Sequence, residues 1–222
     1  MASFSARQPP GAVLFDLDGT LVCSPLDFAA MKRDVLQLAA ERGLETAALE
    51  ALDVLGIVAA GARLPGGGEA FVRAAEERLA RVEVAATDRA TVMPGATALL
   101  EDLRRAGCPV AIVTRNCRPA AESVLLRFGL AHQALLTRAD VERVKPDPAH
   151  LRAAAEALER PPEACLMVGD HLMDVRAGRA AGMRTVGLLH PSRPPEFFAA
   201  APPDLVIRSL PELRPWIFPS SS

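Results

Sequence analysis

Three short apolar runs, each stopping at a cluster of polar residues, constrain the fold more than any other feature of this chain. Val13-Leu14-Phe15 runs into Asp16-Leu17-Asp18-Gly19-Thr20, Ala111-Ile112-Val113 into Thr114-Arg115-Asn116, and Leu166-Met167-Val168 into Gly169-Asp170. Apolar runs this short, with no polar alternation, fit strands buried on both faces. Segments with helical spacing lie between and after them, at 96–105, 119–128, 148–158 and 173–181, and weaker strands are expected at 134–136, 185–188 and 205–207. Strands alternating with helices build βαβ units, so the expected class is α/β with a doubly wound, mainly parallel sheet. Ligands bind such sheets beyond the carboxyl ends of the strands. The three polar clusters are therefore expected to converge on one edge.

Residues 24–91 interrupt the alternation. They read as helices only, at 26–42, 46–60 and 69–82, with the breaker Leu64-Pro65-Gly66-Gly67-Gly68 before the last. The expected organisation is a core of 1–23 and 92–222 with an all-helical insertion at 24–91. The proline-rich stretch 191–203 reads as a surface connection and the last four residues as a loose end. With 222 residues, half of them hydrophobic, the chain can bury a core without disulfide or metal staples.

Several function classes are excluded by composition. The longest stretch free of Asp, Glu, Lys and Arg is 11 residues, Ala90–Leu100, whereas a spanning helix needs about 20. The first residues, MASFSARQPPGAVLF, do not read as a signal peptide. Four cysteines without a CxxC pair (Cys23, Cys108, Cys117, Cys165) suggest neither zinc nor a disulfide framework, and fit a reducing, cytoplasmic setting. A net charge of −2, 4% aromatics and no tyrosine argue against nucleic acid and anionic membranes. Of 25 basic residues 23 are arginine, leaving only Lys32 and Lys145. A lysine kept against that bias points to a place where a compact point charge is needed.

Four aspartates at one mouth, Asp16, Asp18, Asp170 and Asp174, would repel one another unless a cation joined them. Hard oxygen donors with no adjacent His or Cys suit Mg²⁺. Gly19 allows a tight turn or a close backbone approach to a ligand. Helix N-capping accounts for a lone Asp or Thr after a strand, but not for three clusters together with a GDxxxD spacing.

On these residues the chain resembles the haloacid dehalogenase-like hydrolases. The motifs run in order over positions 16 to 174: Asp16-Leu17-Asp18-Gly19-Thr20, then Thr114, then Lys145 in Lys145-Pro146-Asp147-Pro148, then Gly169-Asp170-His171-Leu172-Met173-Asp174. The helical insertion is similar to that family's small cap domain, and the whole chain to its phosphoglycolate phosphatase-like members. The resemblance implies Mg²⁺-dependent hydrolysis of a small phosphorylated metabolite by a monomer or homodimer. Asp16 would be the nucleophile that forms an aspartyl-phosphate, and Asp18 the general acid and then base. Mg²⁺ would be held by carboxylates of Asp16 and Asp170 and the main-chain carbonyl of Asp18, with Asp174 acting through water or by orienting its neighbours. Thr114 and the Arg115 amide would hold phosphate oxygens, and Lys145 would neutralise the nucleophile and the transferring group. The cap would supply specificity, through loops such as 64–68 and Arg63 or Arg73.

Competing chemistries separate on single residues. Relatives that cleave carbon–halogen bonds, or carbon–phosphorus bonds through a Schiff-base lysine, lack an acid at the position of Asp18. A phosphomutase shares every core motif, and a non-catalytic phospholigand-binding module shares the fold; both remain as alternatives. Gly56–Gly61 has P-loop glycine spacing but lacks the Lys-Ser/Thr and a preceding strand, so it reads as a helix end. Cys108 and Arg115 miss the Cys-x₅-Arg spacing of thiol phosphatases by one residue. His171 is expected to face the mouth without catalysing.

Overall fold

The first apolar run forms β1 (Ala12–Phe15), and all four of its side chains are buried. Val13 and Phe15 enter one hydrophobic cluster while Ala12 and Leu14 enter another. Side chains alternate across a strand, so β1 is covered on both faces, which is why its sequence shows no polar alternation. A computed structural model describes residues 9–218; the readings of the chain's first eight and last four residues lie outside that range.

Two compact units divide the chain: one takes the sequence up to Ser24 and again from Ala90, the other is Pro25–Arg89. The first opens with β1 and the two-residue β2 (Val22–Cys23); the second holds α1 (Phe28–Glu41), α2 (Val54–Gly61) and α3 (Gly68–Thr87). On return to the first unit, β3 (Thr91–Val92) pairs antiparallel with β2. There follow α4 (Ala96–Arg105), β4 (Val110–Val113), α5 (Arg118–Arg127), β5 (Ala134–Leu136), α6 (Ala149–Ala157) and β6 (Cys165–Gly169). Last come α7 (Leu172–Ala181), β7 (Arg184–Leu188), β8 (Leu205–Ile207) and α8 (Arg214–Ile217).

Six strands form one sheet in the order β5-β4-β1-β6-β7-β8, and every adjacent pair is parallel. The order reverses at β1, which places a ligand crevice beyond its carboxyl end. Leu99, Leu100 and Leu103 of α4 and Val124 and Leu125 of α5 pack with Phe15, Ile112 and Val168 on one face. Leu151 and Ala154 of α6 and Ala177 and Ala181 of α7 pack with Leu14, Val113 and Met167 on the other.

Some elements differ from the sequence reading. The second helix of the insertion begins at Val54 rather than near Thr46, because Asp53 caps it by accepting from the Gly56 N–H at 2.8 Å. Residues before it form turns closed by Leu49 N–H to Thr46 O. The third helix runs on to Thr87, since Val84–Thr87 contains no glycine or proline to stop it. The antiparallel pair β2 and β3 is too short to leave a periodic signal. Within the proline-rich stretch a single 3-10 turn, Phe197–Ala200, buries Phe198. The Pro25–Arg89 unit has its own core around Val35, Ile57, Phe71 and Leu79. No helix among the described residues is long and apolar enough to cross a membrane.

Candidate active site

Three strand ends supply the site. Asp16 follows β1 directly, and its N–H donates to Val168 O of β6 at 2.9 Å, so β1 hands its first polar residue to the sheet edge in register. Next to it the chain reverses: Gly19 has φ +84°, and its N–H donates to Val22 O at 2.7 Å. A Cβ on Gly19 would stand 2.6 Å from Asp170 Oδ2, and one on Gly169 would stand 2.4 Å from Asp174 Cγ. Both glycines are therefore required for two carboxylates to close in on the backbone.

Lys145 organises the charges. Its side chain is 1% exposed, and Nζ lies 2.5 Å from Asp16 Oδ1, 2.8 Å from Asp174 Oδ1 and 2.7 Å from Val113 O. Those three contacts match the three N–H bonds of an ammonium. Burial alone would depress this lysine, but Asp16 and Asp174 more than offset that and hold its pKa above the ordinary value. The backbone N–H of Lys145 donates to His150 Nδ1 at 3.4 Å. His150 is buried and, chiefly through burial and then Lys145, lowered to about 4, so it stays neutral. Asp174 also accepts from the His171 N–H at 3.0 Å, while His171 Nδ1 accepts from the Met173 N–H, a reciprocal cap on α7.

Oxygen atoms of Asp16, Asp170 and Asp174 lie within 4.8 Å of one another. Burial first, then the charges of Asp174 and Asp170, push the Asp16 carboxyl well above its ordinary value despite Lys145. Burial and Asp174 push Asp170 up to about 6. Three carboxylates against one ammonium leave a formal excess of two negative charges, which a divalent cation would neutralise. The donors are all hard oxygens, so the residues fit Mg²⁺.

Asp18 stands apart from that cluster, and Asn116 Nδ2 donates to its Oδ2 at 2.5 Å. Thr114 is buried at the end of β4, where its N–H donates to Leu136 O and its hydroxyl accepts from the Asn116 N–H at 3.2 Å. The Arg115 guanidinium turns to Met173 Sδ at 3.1 Å, and Arg138 donates to the Arg115 carbonyl at 3.0 Å. His171 sits at the edge, its ring T-shaped against Phe197 at 6.0 Å.

The sequence reading passed over three residues that bear on the site. Asn116 lies in a polar cluster already singled out, and only the 98-residue separation from Asp18 hid the pairing. His150 gave no signal. His190 follows β7, so the rule about strand carboxyl ends pointed to it as well. Its Nε2 lies 2.5 Å from Gly19 O and 3.8 Å from Asp170 Oδ2.

Comparison with known proteins finds matches over most of the chain. Residues 10–182 match the family model described as a haloacid dehalogenase-like hydrolase. An N-acetylmuramic acid 6-phosphate phosphatase of Pseudomonas putida is 34% identical over 217 residues, covering 91% of this chain and 94% of that one. A phosphoglycolate phosphatase of Xanthomonas campestris pv. campestris is 35% identical over 193 residues, covering 81% and 83%. Among solved structures, a HAD family hydrolase from Deinococcus radiodurans with bound phosphate and sodium superposes with a TM-score of 0.62. It is 30% identical, covering 93% of this chain and 94% of that one.

Proposed function

The chain belongs to the haloacid dehalogenase-like hydrolases, and from that premise we propose that it is a Mg²⁺-dependent phosphatase of small phosphorylated metabolites, working through an aspartyl-phosphate. The observation that carries this reading is Lys145, locked between Asp16 and Asp174 with its ammonium fully used. A nucleophilic carboxylate must approach an anionic phosphoryl group, and a buried cation at 2.5 Å lowers that repulsion.

In the first step an Asp16 oxygen attacks phosphorus, the bond to the leaving oxygen breaks, and Asp18 gives that oxygen its proton. In the second, Asp18 takes a proton from water, the water oxygen attacks phosphorus, and the acyl–phosphate bond breaks to restore Asp16 and release phosphate. Asn116 fixes the Asp18 carboxyl by donating to its Oδ2. Thr114 and the Arg115 amide would bind phosphate oxygens from the end of β4. Bound Mg²⁺, held by Asp16, the Asp18 carbonyl and Asp170, with Asp174 steadying Lys145 beside them, would supply charge neutralisation and orient the phosphate.

The relatives named above act on different phosphorylated small molecules, so the class proposed is the phosphomonoester of a small polar metabolite. The test is phosphate release over a panel of such esters, with Mg²⁺ or EDTA, for wild type and Asp16→Asn. Metal-dependent release that the substitution abolishes is expected. Release that survives Asp16→Asn removes Asp16 as nucleophile, and silence across the panel from folded protein favours a phosphomutase or a binding module.

A further inference from the structure

We propose that His190 is a positioning residue for the divalent cation: by donating from Nε2 to the Gly19 carbonyl it holds the turn that brings the Asp18 carbonyl and the Asp170 carboxylate to one point. This rests on the metal reading above and concerns a residue outside every motif that suggested it.

The Gly19 residue is gripped at both of its peptide groups. Its N–H donates to Val22 O at 2.7 Å, which fixes the plane that carries the Asp18 carbonyl. Its own carbonyl meets His190 Nε2 at 2.5 Å. A carbonyl only accepts, so Nε2 carries the hydrogen and the imidazole is the donor whichever charge state it adopts. Between these two grips Gly19 sits at φ +84°, with the Asp170 carboxylate packed where a Cβ would be. A swing of the Gly19 peptide would move the Asp18 carbonyl on one side and press on Asp170 on the other.

His190 itself is well anchored. The preceding Leu189 is buried and its N–H donates to Ile207 O of β8 at 2.8 Å, while the His190 carbonyl accepts from the Arg193 N–H at 3.0 Å. The ring therefore spans from the end of β7 to the turn after β1, tying together two strand ends that are not neighbours in the sheet. Asp170 Oδ2 lies 3.8 Å from Nε2, beyond hydrogen-bond distance, so it does not take the place of the Gly19 carbonyl as acceptor.

The test compares His190→Phe, which keeps a ring without the donor, with His190→Gln, whose amide nitrogen reaches close to the position of Nε2. Mg²⁺ binding is measured by calorimetry without substrate, and the Mg²⁺ dependence of phosphate release beside it. The Phe variant should bind Mg²⁺ about tenfold more weakly, the loss of one well-made hydrogen bond. Its kcat at saturating Mg²⁺ should stay within about twofold, and the Gln variant should restore most of the affinity. His190→Asn, whose amide is too short to reach, should behave as Phe does and serves if the Phe variant does not fold. Unchanged Mg²⁺ affinity in Phe and Asn overturns the proposal, as does a loss that Gln fails to rescue. If wild type itself takes up no Mg²⁺ that Asp170→Asn abolishes, the metal reading fails instead.

Discussion

Replacing Asp170 with Asn should make the metal-free protein more stable while removing its activity. The carboxyl is raised from 3.8 to about 6, by burial first and then by Asp174. Between those values the folded protein holds a proton that the unfolded chain has released, so stability falls as pH rises through the window. Above about pH 6 both states are ionised, and the penalty, roughly 2 pKa units or about 3 kcal/mol, is in full force. Asn is nearly isosteric and uncharged, so it carries none of this. Urea unfolding in EDTA at pH 4, 6 and 8 should show only a small advantage for Asp170→Asn, about 0.5 kcal/mol, at the lowest pH. By pH 8 a gain of about 3 kcal/mol is expected. Saturating Mg²⁺ should close the gap by stabilising wild type alone. A variant no more stable than wild type at pH 8, or a difference indifferent to pH, would refute the electrostatic reasoning.

Lys145→Met should lower kcat/KM at least about a hundredfold and cost about 3–5 kcal/mol of stability at pH 8 by stranding Asp16 and Asp174; steady-state kinetics and denaturant unfolding check both halves. Asn116→Ala removes the donor to Asp18 and should reduce kcat/KM about tenfold; unaltered kinetics would show that Asp18 needs no such support. Gly61→Val should destabilise the Pro25–Arg89 unit by about 1–3 kcal/mol, because a Cβ there would stand 2.0 Å from the Phe71 ring; thermal unfolding reads it.

The meeting of Asp16 and Asp170 was legible in the sequence because each follows an uninterrupted apolar strand, and the geometry of a parallel sheet gathers such strand ends without further information. Lys145 was legible for a different reason: a chain that replaces lysine almost everywhere keeps one between two carboxylates, Asp16 and Asp174. What remained hidden depends on tertiary distance. Asn116 reaches Asp18 and His190 reaches Gly19 only because the sheet order places their strand ends together, and no local pattern marks a hydrogen bond 171 residues long. The start of α2 was misjudged because apolar spacing continues through Asp53, where one side-chain oxygen decides which turn becomes the helix.

The pair formed by β2 and β3 has a consequence for how such a chain can change. Val22 faces Val92 and Cys23 faces Thr91 across an antiparallel ladder, so the inserted unit leaves and rejoins the sheet-bearing unit at adjacent residues. Closure of the intervening loop is already set by that clasp, and its entropic cost grows only slowly with the number of residues inside. The segment between can lengthen, shorten or be transplanted from a relative while the strand order and the carboxylates at the ends of β1 and β6 keep their framework. The sequence of the inserted stretch can thus drift without erasing the strand ends that carry Asp16 and Asp170.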